Sequence, residues 1–375
     1  MSDLLGEHIS YLELPHRSSL FQEAISQHLP PGAVVLDAGC GTGVLGLYCL
    51  QAGAEKVYAV DSTAALELAQ QSYQRAGLAS RAQFIRGSTF QTVLPEKVDV
   101  IVCDHVGFLG VDYGIVDLLA DARKRLLKPG GLIIPGLLRL QVAAVQSEDV
   151  NRRVRRWGQD DIPSEFHWIG QLSAHSKHSV QLKADALLTP AVTLGDIDLR
   201  VDQPAFQQWT VQTQAERDGT VHGVAGWFEC LLAGEVWMTN SPLSPQSIGR
   251  PQAFLPLDTP LAVQAGDEIT IEIMMRPADH LIAWAVRHPR SGTESRQSTW
   301  QGDIVEQDRL KRLHPARQPT PSAEALARQT VLGYCDGTRT VAQIQQLVLA
   351  EHPDLRPSAA EIQRFVASVI SQDTQ

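Results

Sequence analysis

A chain of 375 residues, 43% hydrophobic and 20% charged, is long enough for roughly two or three domains with sizeable cores. Its formal charge of −10 argues against general nucleic-acid binding, and its five scattered cysteines, with no Cys-x-x-Cys pair, disfavour a zinc site and fit reduced thiols in a cytoplasm. No apolar run reaches the roughly 18 residues that span a bilayer, and the opening Met-Ser-Asp-Leu-Leu-Gly-Glu lacks a basic segment followed by an apolar one, so no membrane insertion, export or metal is expected.

The first strong signal covers residues 33–61. A strand is predicted over Ala33–Ala38, a helix over Leu45–Ala52, and a second strand over Lys56–Val60 that ends in Asp61. Gly39, Gly41 and Gly43 permit a tight turn and close approach of the backbone to a ligand, while Asp61 is placed to accept both ribose hydroxyls. The pattern is Gly-x-Gly-x-Gly after Asp37, with Val44 where a dinucleotide site would carry Gly or Ala. Without a pyrophosphate to cradle, the spacing points to an adenosine bearing an amino-acid tail; a βαβ turn with no ligand is the alternative.

Strands and helices alternate as far as about residue 145. Val98–Cys103 reads as a buried strand, Ile115–Leu127 as a helix, and Pro129-Gly130-Gly131 as a turn into the strand Leu132–Pro135. This predicts an α/β fold, a doubly wound sheet with helices on both faces. From about 137 to 300 helical periodicity is scarce, and β-branched stretches such as Leu138–Val145, Val221–Leu232 and Glu268–Met275 predict a mostly antiparallel β-domain. The basic run Arg152-Arg153-Val154-Arg155-Arg156-Trp157 reads as a solvated helix face or an oligomer contact. Beyond about 303, a polar connection, Arg309–Pro321, leads to helices over Ala323–Tyr334, Thr340–His352 and Ser358–Ser371, separated by Asp336–Arg339 and Pro353–Pro357.

The glycine loop, its flanking strands and Asp61 resemble the class I methyltransferases that use S-adenosylmethionine. A β-barrel following directly on such a core resembles the protein arginine methyltransferases, over roughly residues 10–300. Carrying segments include Leu127–Pro135, Ala225-Gly226-Trp227-Phe228, Thr239–Pro242, Ala265–Ile269 and Met275-Arg276-Pro277. The resemblance implies a Rossmann-like S-adenosylmethionine domain over 1–136 and a β-barrel over 137–302. It also implies a helical arm near 152–175 that makes a homodimer, to which Ile162, Phe166 and Trp168 are suited. S-adenosylmethionine would be held by Asp37, Gly39, Cys40, Gly41, Gly43, Asp61, Ser62 and Asp104. Arg17 matches a family arginine that pairs with the cofactor carboxylate, Ser88 and Thr89 would supply polar contacts, and Phe90 reads as core. Tyr11 and His16 partly replace an aromatic N-terminal motif that the chain lacks.

The acceptor positions depart from that family, in which two glutamates hold the substrate guanidinium. The loop here is Cys103-Asp104-His105-Val106-Gly107-Phe108-Leu109-Gly110-Val111-Asp112-Tyr113, with Asp104 for the first glutamate, Tyr113 at the second position and Asp112 one residue early. Where the family carries Thr-His-Trp, Gly249 and Arg250 stand over the His and Trp; Arg250 either faces the pocket and repels a guanidinium or points to solvent. Asp104, His105, Asp112, Tyr113 and Arg250 are therefore the catalytic candidates, with a structural role as the alternative for His105.

The segment Leu332-Gly333-Tyr334-Cys335-Asp336-Gly337-Thr338-Arg339-Thr340-Val341 and the helices after it resemble the PqqD-type winged-helix domain, which implies that 303–375 grips the leader of a precursor peptide. A helical cap is the alternative. Three functions follow: a methyltransferase acting on a recruited peptide or protein whose acceptor need not be arginine, a small-molecule methyltransferase with a structural tail, or a non-catalytic adaptor. The intact Asp37, Gly39, Gly41, Gly43 and Asp61 set speaks against the last.

Overall fold

Two largely apolar strands, each carrying one aspartate, lie inside the first sheet. In the computed structural model, which describes residues 4–304 and 306–374, helices α1 (Leu4–Leu12) and α2 (Arg17–His28) precede β1 (Val34–Ala38). There follow α3 (Val44–Gln51), β2 (Lys56–Asp61), α4 (Ala65–Arg75), β3 (Ala82–Arg86), β4 (Val98–Val102), α5 (Ile115–Leu126) and β5 (Leu127–Ile134). The strands pair in parallel in the order β3-β2-β1-β4-β5. Every residue of β1 is buried, the signature of a strand covered on both faces. Pro129-Gly130-Gly131 does not precede its strand as expected but lies within it. The pairing of β5 with β4 slips there, from Val98 opposite Leu127 to Val100 opposite Leu132, a bulge that accommodates Gly130 at φ +74°.

The chain then enters an antiparallel domain. Its elements are β6 (Leu137–Val145), α6 (Glu148–Val154), α7 (Ile169–Ala174), β7 (His178–Val180), β8 (Val192–Asp198), β9 (Gln207–Gln214) and β10 (Gly219–Ala233). After them come β11 (Val236–Thr239), β12 (Gln252–Val263), β13 (Glu268–Arg276), β14 (Leu281–His288) and β15 (Thr293–Ser298). One sheet runs β7-β12-β10-β6-β8 with β11 on β10, the other β15-β14-β13-β9. They approach each other where β8 meets β9 and β12 meets β15, giving a barrel-like body. Phe228 and Trp284 belong to the main core, whereas Trp227 and Phe254, on the other face, pack with Val150 and Val154 of α6. Each such burial stabilises the fold by roughly 1.5–3 kcal/mol, and the indole N–H of Trp284 keeps a partner in Pro256 O at 2.7 Å. The expected arm is two short helices, α6 and α7, joined by 3₁₀ turns, with Trp157, Phe166 and Trp168 exposed.

The contact pattern divides the chain after Asp303. The second unit holds α8 (Gln307–Arg312), α9 (Ala323–Leu332), α10 (Val341–Glu351) and α11 (Ala359–Asp373) around Val331, Ile344, Val348, Ile362, Val366 and Val369. Its helices start where side-chain caps permit: Ser322 accepts from Ala325 N–H, Ser358 from Glu361 N–H, and Thr340 closes a capping box with Gln343. Among the described residues of this unit there is no strand, and Arg309–Pro321 runs from the end of α8 into a connection without regular structure. The Asp336–Thr340 signature is a turn: Asp336 Oδ1 accepts from Thr338 N–H and Oγ1, Gly337 takes φ +78°, and Arg339 pairs with Asp336 at 2.8 Å.

Candidate active site

Because strand order reverses between β1 and β4, the loops leaving their carboxyl ends diverge and leave a crevice, as open α/β sheets do at such switch points. A cavity of about 750 Å³ lies there. Its lining includes Arg17, Asp37, Gly39, Cys40, Gly41, Asp61, Ser62, Ser88, Thr89, Asp104, His105 and Tyr113, all named from sequence. Gly43, Asp112 and Arg250 are not part of the lining. Gly43 instead caps α3 at φ +78° and packs against Ala69 and Tyr73, whose hydroxyl donates to Gly43 O at 2.8 Å.

The glycine loop is shaped by close approach. A Cβ on Gly39 would enter the His105 ring, and one on Gly41 would stand 2.8 Å from His8 Cε1 of α1. Asp61 Oδ2 accepts the Gly41 N–H at 2.8 Å while Oδ1 accepts from Thr63 N–H and hydroxyl, which orients the carboxylate toward the cavity rim. Asp37 is buried and accepts from Gly46 N–H at 2.8 Å; burial pushes its carboxyl up to about 7. Burial likewise raises the Cys40 thiol above its usual range, so it stays protonated. Phe90 is half-exposed on the cavity wall, which corrects its reading as core. His16 caps α2 at φ 60°, away from the lining; Tyr11 alone of the two N-terminal candidates reaches the cavity.

The acceptor loop is held from several sides. Gly107 and Gly110 exchange backbone hydrogen bonds at 2.9 and 3.2 Å, and Asn240 Nδ2 donates to Phe108 O at 2.9 Å. Leu109 packs where a Cβ on Gly226 of β10 would stand, so the Ala225–Phe228 segment serves as the floor of this loop. Within this frame Asp104 Oδ2 receives Arg17 Nε at 2.6 Å and Arg250 Nη2 at 3.3 Å, with all three side chains no more than 6% exposed. Arg250 therefore faces neither solvent nor the cavity, and a second nitrogen of its fork is tied to Val106 O. The Tyr11 ring lies 5.9 Å from the Arg17 guanidinium carbon and 5.3 Å from that of Arg250, within cation–π range.

Asp112 departs from its expected part. Its Oδ1 accepts the Leu109 N–H at 2.8 Å and its Oδ2 is paired with Lys177, so it closes the loop from outside the cavity instead of orienting a nucleophile. Tyr113 lines the cavity and stacks edge-on against Phe108 at 5.4 Å; burial raises its phenol to about 12, so it remains a neutral donor. His105 is held below the usual imidazole range by burial, against the opposing pull of Asp104 and Asp61, and is neutral at pH 7. Thr63, Lys177 and the α1 residues Glu7 and His8 were not singled out from sequence. The spacing of Leu4, Glu7, His8 and Tyr11 carries a helical signal for one face, whereas nothing near Lys177 marks it.

Comparison with known proteins agrees with this geometry. A methyltransferase domain matches residues 35–131 and the arginine methyltransferase oligomerization subdomain matches 139–285. Protein arginine N-methyltransferase 6 of Xenopus laevis is 28% identical over 260 residues, covering 66% of this chain and 76% of its own. Protein arginine N-methyltransferase 1 of Schizosaccharomyces pombe is 29% identical over 283 residues, covering 73% and 83%. The chain is an S-adenosylmethionine-dependent methyltransferase similar in both of its matched domains to the protein arginine methyltransferases. In fold, this methyltransferase resembles the Trypanosoma brucei PRMT1 enzyme-prozyme complex with AdoHcy (TM-score 0.69, 23% identity, covering 78% of this chain and 97% of that one). It also resembles Arabidopsis thaliana protein arginine methyltransferase 10 (TM-score 0.67, 21% identity, 79% and 98%).

The site of the methyltransferase fits S-adenosylmethionine on its own evidence. Arg17 Nη1 is buried beside the cavity with no hydrogen-bond partner, the unmet donor a cofactor carboxylate would satisfy. Asp61 stands where ribose hydroxyls would reach it, and the glycine loop has no room for added side chains. Among the described residues no three His, Cys, Asp or Glu side chains gather to hold a metal, and no helix is long and apolar enough to cross a membrane.

Proposed function

We propose that the chain methylates a peptide or protein side chain that is not gripped as a guanidinium between two carboxylates, and that the unit after Asp303 recruits this substrate. The observation that carries the reading is the state of the two loop carboxylates. Asp104 is shared by Arg17 and Arg250, and Asp112 is turned away to Lys177 and the Leu109 N–H. A substrate guanidinium would meet no free carboxylate pair of the kind that bidentate recognition needs.

When bound, S-adenosylmethionine supplies a methyl carbon whose bond to sulfur breaks with the electron pair kept by sulfur as the acceptor lone pair closes on carbon. The chain's own residues then have modest tasks. Arg17 and Asp61 fix the cofactor's two polar ends, the loop from Asp104 to Tyr113 orients the acceptor, and Asp104 Oδ1 or neutral His105 takes the proton that the acceptor loses. Support for a macromolecular substrate comes from the relatives, which are protein methyltransferases, and from Leu326, Leu332 and Val341, which the second unit leaves partly exposed. The same reading includes leader binding there by a helix face, since no strand is available for pairing among the described residues, and a homodimer through the exposed Trp157, Phe166 and Trp168.

The test is transfer of labelled methyl from S-adenosylmethionine by the full chain to short peptides encoded beside its gene, followed by identification of the modified residue. Label in a peptide side chain other than arginine, lost in Asp61→Ala, supports the reading. Methylarginine as the product would overturn the acceptor assignment, and transfer only to small molecules would overturn recruitment.

A further inference from the structure

We infer that Arg250 is a resident cation that takes the place of a substrate guanidinium at Asp104, and that the acceptor is an uncharged side chain giving one N–H or O–H to Asp104 Oδ1. The inference rests on the peptide-methyltransferase reading and adds to it a residue that sets specificity and a class of acceptor.

The argument counts the valences around one carboxylate. Asp104 Oδ2 has two donors, Arg17 at 2.6 Å and Arg250 at 3.3 Å, whereas Asp104 Oδ1 is buried at the cavity with none. A buried carboxylate oxygen without a partner is a standing cost, so a ligand that brings a donor there is favoured. With a cofactor carboxylate on Arg17, that ligand meets two guanidinium groups already matched by two carboxylates, with no negative charge left over to hold a further cation, at side chains no more than 6% exposed. A third guanidinium, or an ammonium, is disfavoured in such a setting. Of the other carboxylates that line the cavity, Asp61 and Asp37 are engaged by the Gly41 and Gly46 N–H groups, Asp117 stands on α5 and Glu7 is solvent-exposed on α1; Asp112, outside the cavity, is paired with Lys177.

Arg250 is not free to leave. Its fork holds Val106 O as well as Asp104, and the Tyr11 ring covers both it and Arg17. A planar fork locked at three points is pre-organised, so displacing it means breaking several contacts at once. An imidazole meets both demands without first losing a proton, because one ring nitrogen donates to Oδ1 while the other keeps its lone pair. A hydroxyl meets the donor requirement with its single O–H, and that proton passes to Asp104 Oδ1 as the oxygen takes the methyl group.

The test uses the full chain saturated with S-adenosylhomocysteine and measures binding of two small probes, 4-methylimidazole and methylguanidinium, by ligand-observed magnetic resonance at a pH well above the imidazolium range, where the first probe is neutral and the second remains a cation. The unaltered chain is expected to bind the imidazole at least tenfold tighter. Arg250→Ala should reverse the order, and Arg250→Lys, which keeps the charge, should retain the exclusion of methylguanidinium. If Arg250→Ala does not fold, Arg250→Gln preserves a donor for Val106 O and removes the charge. Equal methylguanidinium binding by the unaltered chain and the neutral variant would overturn the inference, as would methylarginine as the product. Failure to methylate any peptide would count against the wider proposal alone, because the probe order decides the role of Arg250 without turnover.

Discussion

Asp37 offers a test of how the cofactor loop is held, because its protonation differs between folded and unfolded chains. It is 1% exposed at the end of β1, and burial, opposed by the Gly46 N–H and assisted by Asp61, pushes its carboxyl from 3.8 to about 7. Below pH 3.8 both states hold the proton and the group contributes nothing to pH dependence. Between about 4 and 7 the unfolded chain releases the proton while the folded chain keeps it, so stability falls as pH rises, by about 1.4 kcal/mol per pH unit. Above about 7 both states are ionised and the loss levels off at roughly 4 kcal/mol. Asp37→Asn cannot titrate, yet its side-chain oxygen still accepts from Gly46. Its stability relative to the parent should therefore rise by about 3 kcal/mol between pH 5 and pH 8. Urea unfolding of both proteins at the two pH values measures this difference, and groups common to both cancel. Parallel stability curves, or a gap that narrows with rising pH, would refute the assignment.

Gly39→Ala should weaken S-adenosylhomocysteine binding at least tenfold by calorimetry while leaving circular dichroism unchanged, since a left-handed alanine costs about 1–2 kcal/mol and its methyl enters the His105 ring. Adding His105→Gly should recover part of the loss if the ring is the obstacle. Lys177→Ala leaves the Asp112 carboxylate, 4% exposed, without its cation; a loss of about 3 kcal/mol in chemical denaturation is expected, largely restored by Asp112→Asn. Ile344→Ala should cost about 2–4 kcal/mol in the second unit. Hydrogen exchange should accelerate in α9, α10 and α11 and stay unchanged in β1 and β4, because Ile344 belongs to a core of its own.

Much of the architecture was legible because its signals are local. Buried parallel strands announce themselves as apolar runs, and the helices of the second unit carry capping residues at Ser322, Thr340 and Ser358. Reading failed where local chemistry has two outcomes. Pro129-Gly130-Gly131 reads as a turn by composition but sits inside β5 because this edge strand tolerates a bulge in its pairing with β4. Phe90 reads as core by hydrophobicity, yet an aromatic at a cavity wall is half-exposed.

The site was harder to read for a different reason: its decisive contacts join residues far apart in sequence. Asp104 and Arg250 are separated by 146 positions, and Asp112 and Lys177 by 65. Sequence alone left Arg250 with two destinations, pocket or solvent, and neither is where it lies. A guanidinium buried to 3% exposure requires an anion, and Asp104 is the anion it has. The shortened acid and the arginine over the family's tryptophan position therefore read as linked, because buried Arg250 draws on a carboxylate that already holds Arg17. Arg250→Trp would leave Asp104 to Arg17 alone, whereas Asp104→Ala would strand two buried guanidinium groups at once, and this asymmetry is what couples the two departures from an arginine-binding clamp.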